Sequence, residues 1–204
     1  MTSLICGIDE AGRGPLAGPV CAAAVILNSG YSQPEFPIDL LNDSKKLNVS
    51  DREKARVMIM ENTFAWGIGW ATHEEIDKIN ILQASLLAMK RAFEDMLQRA
   101  ASDNKALPLG EIKAIADGTF TPDIPVKCQA MIKADAQIAE VMAASILAKT
   151  ERDIYMDKMA ALYPQYGYEK HKGYPTKAHR EAICKYGPSP IQRMSFRVKK
   201  EERL

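Results

Sequence analysis

The chain has 204 residues, 47% apolar and 26% charged, with a formal net charge of +1, which fits one domain, or one domain with a small appendage, around a sizeable core. Cys6, Cys21 and Cys128 lie in apolar strand-like runs and the four cysteines show no paired metal spacing, so buried free thiols are expected rather than a disulfide framework. No stretch approaches the roughly 20 apolar residues of a membrane span, and Asp9, Glu10 and Arg13 interrupt the N-terminal run, so a soluble, cytoplasmic chain is expected.

Residues 3–9 and 19–27 read as two strands joined by a glycine-rich turn, the second so continuously apolar that both of its faces should be buried. Residues 28–43 read as loop. A helix is predicted from Ser50, where Ser-Asp-Arg-Glu matches a capping box, to Asn62. In the strand Phe64–Ala71, Phe64, Trp66, Ile68 and Trp70 share one face and Ala65, Gly67, Gly69 and Ala71 the other. Such a split predicts close approach of a helix or another backbone on the small side, with the tryptophans in packing roles. Residues 80–100 form the clearest helix, with Leu82, Leu86, Met89, Phe93, Met96 and Leu97 on one stripe. Strands follow at 112–117 and 126–132, then a long helix from about 136 to 162. A Tyr/Gly/Pro-rich loop at 163–175 leads to a helix starting near Thr176 and stopping before Gly187.

Charge is unevenly spread. Residues 169–200 hold nine Lys or Arg against two acids, so the preceding body is acidic. That asymmetry suits an enzyme that holds metal on one part and a polyanion on another; the plain alternative is a solvated tail.

The most informative stretch is Gly7-Ile8-Asp9-Glu10-Ala11-Gly12-Arg13-Gly14-Pro15. Along a regular strand Asp9 and Glu10 point apart, so they are expected to share a site only where the strand is ending. Paired carboxylates beside close-approach glycines suit divalent-metal and phosphate chemistry. Asp117, before Gly118, ends another predicted strand, and Asp135 lies between a strand and a helix. Each has a structural alternative, a turn residue for Asp117 and a helix cap for Asp135.

Five segments, in this order, resemble the ribonuclease HII family: the Asp9–Pro15 motif, Asn42-Asp43-Ser44-Lys45-Lys46-Leu47, Ala116-Asp117-Gly118, Lys133-Ala134-Asp135 leading into Ala143–Lys149, and His171-Lys172-Gly173-Tyr174. Lys133-Ala134 departs mildly from the Lys-Gly expected there. The resemblance implies an α/β, ribonuclease H-like mixed β-sheet flanked by helices. Residues 1–162 would form the catalytic core, and residues 163–204 a basic helical segment completing the substrate groove. It implies that Asp9, Glu10, Asp117 and Asp135 are catalytic and hold Mg²⁺ or Mn²⁺. It implies that Gly12, Arg13 and Gly14 sense ribose, that Ser44, Lys45 and Lys46 contact strand backbone, and that Tyr174 packs on sugar at an RNA–DNA junction. The implied activity is endoribonucleolytic hydrolysis of the RNA strand of RNA–DNA hybrids. Cutting 5′ of single ribonucleotides in duplex DNA is implied as well, leaving 3′-hydroxyl and 5′-phosphate ends, by a monomer. The sister family, ribonuclease HIII, would carry a long N-terminal substrate-binding domain and a turn lacking Arg13. A non-catalytic nucleic-acid-binding module would not need the carboxylate set, which repels phosphate unless metal intervenes.

Overall fold

The computed structural model describes residues 4–28 and 49–197. Strands β1 (Leu4–Ala11) and β2 (Val20–Leu27) pair antiparallel, from Gly7↔Val25 to Ala11↔Cys21. All of β2 is buried, as its unbroken apolar run predicts. Strand β3 (Thr63–Ala71) lies antiparallel on the other side of β2. Strand β4 (Ile112–Asp117) runs parallel to β1, and β5 (Lys127–Met131) parallel to β4. The order β3-β2-β1-β4-β5 gives the expected mixed sheet, with β1 the seam between its antiparallel and parallel halves.

Helix α1 (Val49–Asn62) starts before the predicted cap, so Ser50 sits inside its first turn. Helix α2 (His73–Ser102) begins seven residues earlier than the periodicity predicts. Thr72 and Glu75 form a reciprocal capping box there. Asn80 then breaks the helix with φ 65° and recaps it, its side chain accepting from the Leu82 and Gln83 amides. The break resets the apolar stripe, which is why the first turns read as loop.

The small face of β3 meets α2 at backbone distance. A Cβ added at Gly69 would lie 2.1 Å from the Ala88 carbonyl oxygen, and one at Gly67 2.2 Å from the Met96 nitrogen. The facing helix surface is itself small, with Ala84, Ala88, Ala92 and Ala100 buried beside Met89, Phe93 and Met96. On the large face, Trp66 donates its indole N–H to the Met60 carbonyl and Trp70 packs at a tilt on Tyr155. Both tryptophans therefore serve packing.

Helix α3 (Ala139–Leu162) covers the other side of β1 and β2. It starts after a separate 3-10 turn at Ala134–Ala136, later than the single helix predicted. Here too a glycine sets the spacing: a Cβ at Gly7 would lie 2.1 Å from the Glu140 carbonyl carbon.

Beyond α3, a 3-10 turn (Pro164–Tyr166) and helices α4 (Tyr168–His171) and α5 (Lys177–Tyr186) pack back around Ala17, Met156, Tyr166, Tyr168 and Ile191. Thr176 caps α5 and Gly187 ends it, as predicted. His171 and His179 are buried here and stack with ring centroids 4.5 Å apart. Their roles are structural: each ring bonds a backbone carbonyl, of Tyr166 and Tyr174 respectively. Burial holds both pKa values below the ordinary imidazole value. Unfolded imidazoles thus take up protons that the folded pair refuses, and stability is lost as pH falls below about 6.5. The melting temperature is expected to drop progressively between about pH 7 and 5.5; a flat profile would contradict this account.

Among the described residues no helix is long and apolar enough to cross a membrane. All four cysteines are free, Cys6 and Cys21 buried, Cys128 half-buried and Cys184 exposed.

Candidate active site

Asp9 and Glu10 lie inside β1, not at its end. Both remain paired with β2, at Ala23 and Ala22, while the pairing with β4 runs only from Leu4↔Ile112 to Ile8↔Ala116. The strand is thus finished on one side only. The freed edge lets Asp117, at the end of β4, stand next to Asp9 across the opening between the two strands.

Asp9 shares the face of Gly7 and points toward α3. It is 6% exposed, accepts from the Glu10 amide at 2.7 Å, and lies near enough to the Ser145 hydroxyl for that group to favour its charged form. Burial raises its pKa well above the usual carboxylate range; the Glu10 and Asp117 charges add to this, and the Ser145 hydroxyl opposes it. Glu10 faces the opening with its side chain 9% exposed, and its Oε1 accepts from Arg13 Nη1 at 3.3 Å. Burial raises its pKa, with Arg13 pulling down and Asp117 pushing up. Its Oε2 is buried without a hydrogen-bond partner.

Asp117 is half-buried and accepts from the Ala134 amide at 2.7 Å. That bond fixes the 3-10 turn carrying Asp135 directly beside it in the chain. The left-handed conformation in this turn falls on Lys133 (φ 59°), while Ala134 is helical and buried, so alanine fits where glycine is expected. Asp9, Glu10 and Asp117 feel one another's charge. Even so, among the described residues no three His, Cys, Asp or Glu side chains are grouped as a closed metal cage. The donor set still fits a hard divalent cation: carboxylate oxygens only, one of them buried and orphaned, and like charges held together at the cost of raised pKa values.

Glu10 opens onto a cavity of about 450 Å³, also lined by Gly12, Arg13, Gly14, Arg52, Ser145, Lys149 and Tyr174. The turn and Tyr174 come together as expected: a Cβ on Gly14 would lie 3.6 Å from the Tyr174 ring. Tyr174 is 41% exposed, and the Lys149 ammonium stands 5.9 Å from its ring centroid. Lys149 and Arg52 both pair with Asp153, at 2.7 and 3.3 Å, which keeps two cations at the rim. Ser145, Lys149 and Arg52 carry no role in the sequence reading. Ser145 and Lys149 are one helical turn apart on α3, and that spacing was the available signal. Ser44, Lys45 and Lys46 lie outside the described residues.

The basic C-terminal segment is only partly a surface. Lys170, Lys177, Lys185 and Arg197 are exposed, whereas Lys172 pairs with Asp157 and Arg193 is fully buried. Counting Arg193 toward a polyanion-binding face was therefore wrong; its guanidinium faces inward, onto the turn's carbonyls.

A family model described as Ribonuclease HII matches residues 6–199. The chain belongs to the ribonuclease HII family. It is 54% identical to the Ribonuclease HII of Treponema denticola, over 96% of this chain and 99% of that protein. It is 50% identical to that of Dechloromonas aromatica, over 95% of this chain and 90% of the relative. The ribonuclease H2 of Pyrococcus horikoshii superposes with a TM-score of 0.71 at 25% identity, covering 96% of this chain and 94% of that one. Bst-RNase HIII, solved in complex with Mn²⁺, shares the fold with a TM-score of 0.72 at 19% identity, covering 91% of this chain and 63% of its own. Ribonuclease HII enzymes are endoribonucleases that hydrolyse phosphodiester bonds, here in the RNA of RNA–DNA hybrids. As ribonuclease H-type enzymes they use divalent metal.

Proposed function

We propose that this ribonuclease HII also recognises a single ribonucleotide embedded in duplex DNA and cuts on its 5′ side, leaving 3′-hydroxyl and 5′-phosphate ends. The observation that carries the reading is the contact between Tyr174 and the Gly12-Arg13-Gly14 turn at the mouth of the Glu10 cavity. The turn would meet the 2′-hydroxyl, both donor and acceptor, through backbone groups that only glycines bring close enough. The Tyr174 ring would pack on the next sugar, where a second hydroxyl would spoil the fit.

Asp9, Glu10, Asp117 and Asp135 would hold Mg²⁺ or Mn²⁺, with Glu10 Oε2 the oxygen most in need of a partner. Bound there, divalent metal would activate water and offset charge on the scissile phosphate. The Glu10 amide fixes the Asp9 carboxylate, with Ser145 beside it, and the Ala134 amide fixes that of Asp117. Arg13, Arg52 and Lys149 line the same cavity as Glu10, so a phosphodiester there would meet cations beside the carboxylate. Residues 163–204 would complete the groove, with Ser44, Lys45 and Lys46 on the strand backbone. The enzyme would act as a monomer in the cytoplasm.

Product mapping tests this. Two duplexes differing by one 2′-hydroxyl should give one cut on the 5′ side of the ribonucleotide and none in all-DNA, only with Mg²⁺ or Mn²⁺ present. An unpaired hydrogen-bonding site costs about 1–3 kcal/mol, before any misalignment of the reacting groups. Equal cleavage of both duplexes would leave a generic nuclease.

A further inference from the structure

Arg193 and Arg152 are among the most deeply buried side chains in the protein, 0% and 1% exposed. Arg193 donates from Nη2 to the Gly12 carbonyl at 2.7 Å and to that of Pro19 at 3.1 Å. Its Nη1 reaches the Arg13 carbonyl at 3.1 Å and its Nε the Gly18 carbonyl at 2.8 Å. Arg152 donates to the carbonyls of Pro19, Ala17 and Lys172. Backbone bonds tie the same strands of chain together, Arg193 N–H to Leu16 and Gly18 N–H to Ile191. Asp77 anchors the far side, accepting from the Met194 and Ser195 amides at 2.9 Å each.

Burying two guanidinium groups against carbonyl dipoles is costly, and apolar side chains of similar volume serve stability as well or better. What a planar five-donor fork supplies is a fixed geometry for the groups it bonds. Every peptide bond here is trans, so each C=O is antiparallel to the N–H of the next residue. Holding the Gly12 and Arg13 carbonyls inward therefore turns the Arg13 and Gly14 amides outward. Gly12 has φ +102° and no side chain, so without the clamp its neighbouring peptide is free to flip.

We propose that Arg193, anchored by Asp77, is a positioning residue that sets the direction of the turn amides and so the enzyme's preference for ribose. The proposal rests on the reading of Gly12–Gly14 as the ribose-sensing turn.

The test is binding, in an Asp9→Asn background that prevents cleavage, to a duplex with one ribonucleotide and to its all-DNA counterpart. Arg193→Lys keeps a buried cation but loses the fork. Its preference for the ribonucleotide duplex should fall about fivefold or more, the worth of roughly one hydrogen bond, with all-DNA binding unchanged. Asp77→Ala, at a half-buried anchor outside the turn, should lower the preference in the same direction by about twofold. A merely structural role would weaken both duplexes together, and that result would overturn the proposal. If the Asp9→Asn parent binds both duplexes alike, the ribose reading falls and takes this role with it. If the parent discriminates and folded Arg193→Lys discriminates equally, the positioning role alone is overturned. Should Arg193→Lys not fold, Asp77→Ala decides, an undiminished preference counting against Arg193.

Discussion

Asp9→Asn is expected to lower cleavage by on the order of 100-fold or more while the protein stays folded and still binds hybrid. Losing even an outer-shell partner of a metal site costs about 10–100-fold, and Asp9 is proposed here as a direct ligand. The substitution is nearly isosteric and keeps an acceptor for the Ser145 hydroxyl and the Glu10 amide. It also removes one of three neighbouring carboxylates, from a pair, Asp9 and Glu10, that burial leaves poorly solvated. In EDTA the variant should therefore melt above wild type. Mg²⁺ should raise the melting temperature of wild type, by binding the native state, and should do little for the variant. Near wild-type turnover, or an equal Mg²⁺ response in both proteins, would remove Asp9 from the metal site.

Gly7→Ala carries the largest expected effect on stability. The added methyl would sit 2.1 Å from the Glu140 carbonyl carbon and 2.3 Å from the Val141 nitrogen, so the first turn of α3 must move. Overpacking against backbone costs about 3 kcal/mol or more, a fall of roughly 6–12 °C in a domain of this size. The same helix carries Ser145 and Lys149, so activity should suffer in the fraction that remains folded. Gly110→Ala is the control: an added Cβ there meets nothing within 4 Å. Comparable melting losses for the two variants would show that the α3–β1 spacing is not what Gly7 protects.

Elements whose signal is local were legible in the sequence. The apolar run of β2, the split faces of β3, and the Thr176 and Gly187 boundaries of α5 all lie where periodicity and cap residues put them. The sequence also brought Tyr174 and the Gly12–Gly14 turn to one place, through resemblance alone. What it hid depends on which neighbour a residue meets. Asp9 and Glu10 look like the end of a strand, yet β1 continues because β2 stays paired after β4 has stopped. Helix α2 looks short because Asn80 breaks its stripe and then recaps it. Arg193 reads as one more charge in a basic segment, and only burial distinguishes a clamp from a surface cation. Ser145 is one more residue of a long helix in the sequence, and the carboxylate it stands beside lies on another element.

The clamp on the turn has a consequence for how the enzyme is made. Gly12–Gly14 leaves the ribosome early, whereas Arg152 and Arg193 follow far later in synthesis. At roughly 5–20 residues per second the turn waits about 10–40 s for its last carbonyl partner. The parallel β1–β4 pairing likewise joins residues distant in the chain, so its loop closure precedes any reward. A nascent chain thus carries its first two carboxylates exposed on an unfinished sheet, with no ordered turn to aim them. The turn should take its final shape in one late step, when the segment around residue 193 docks, so ribose preference would be the last property the new chain acquires.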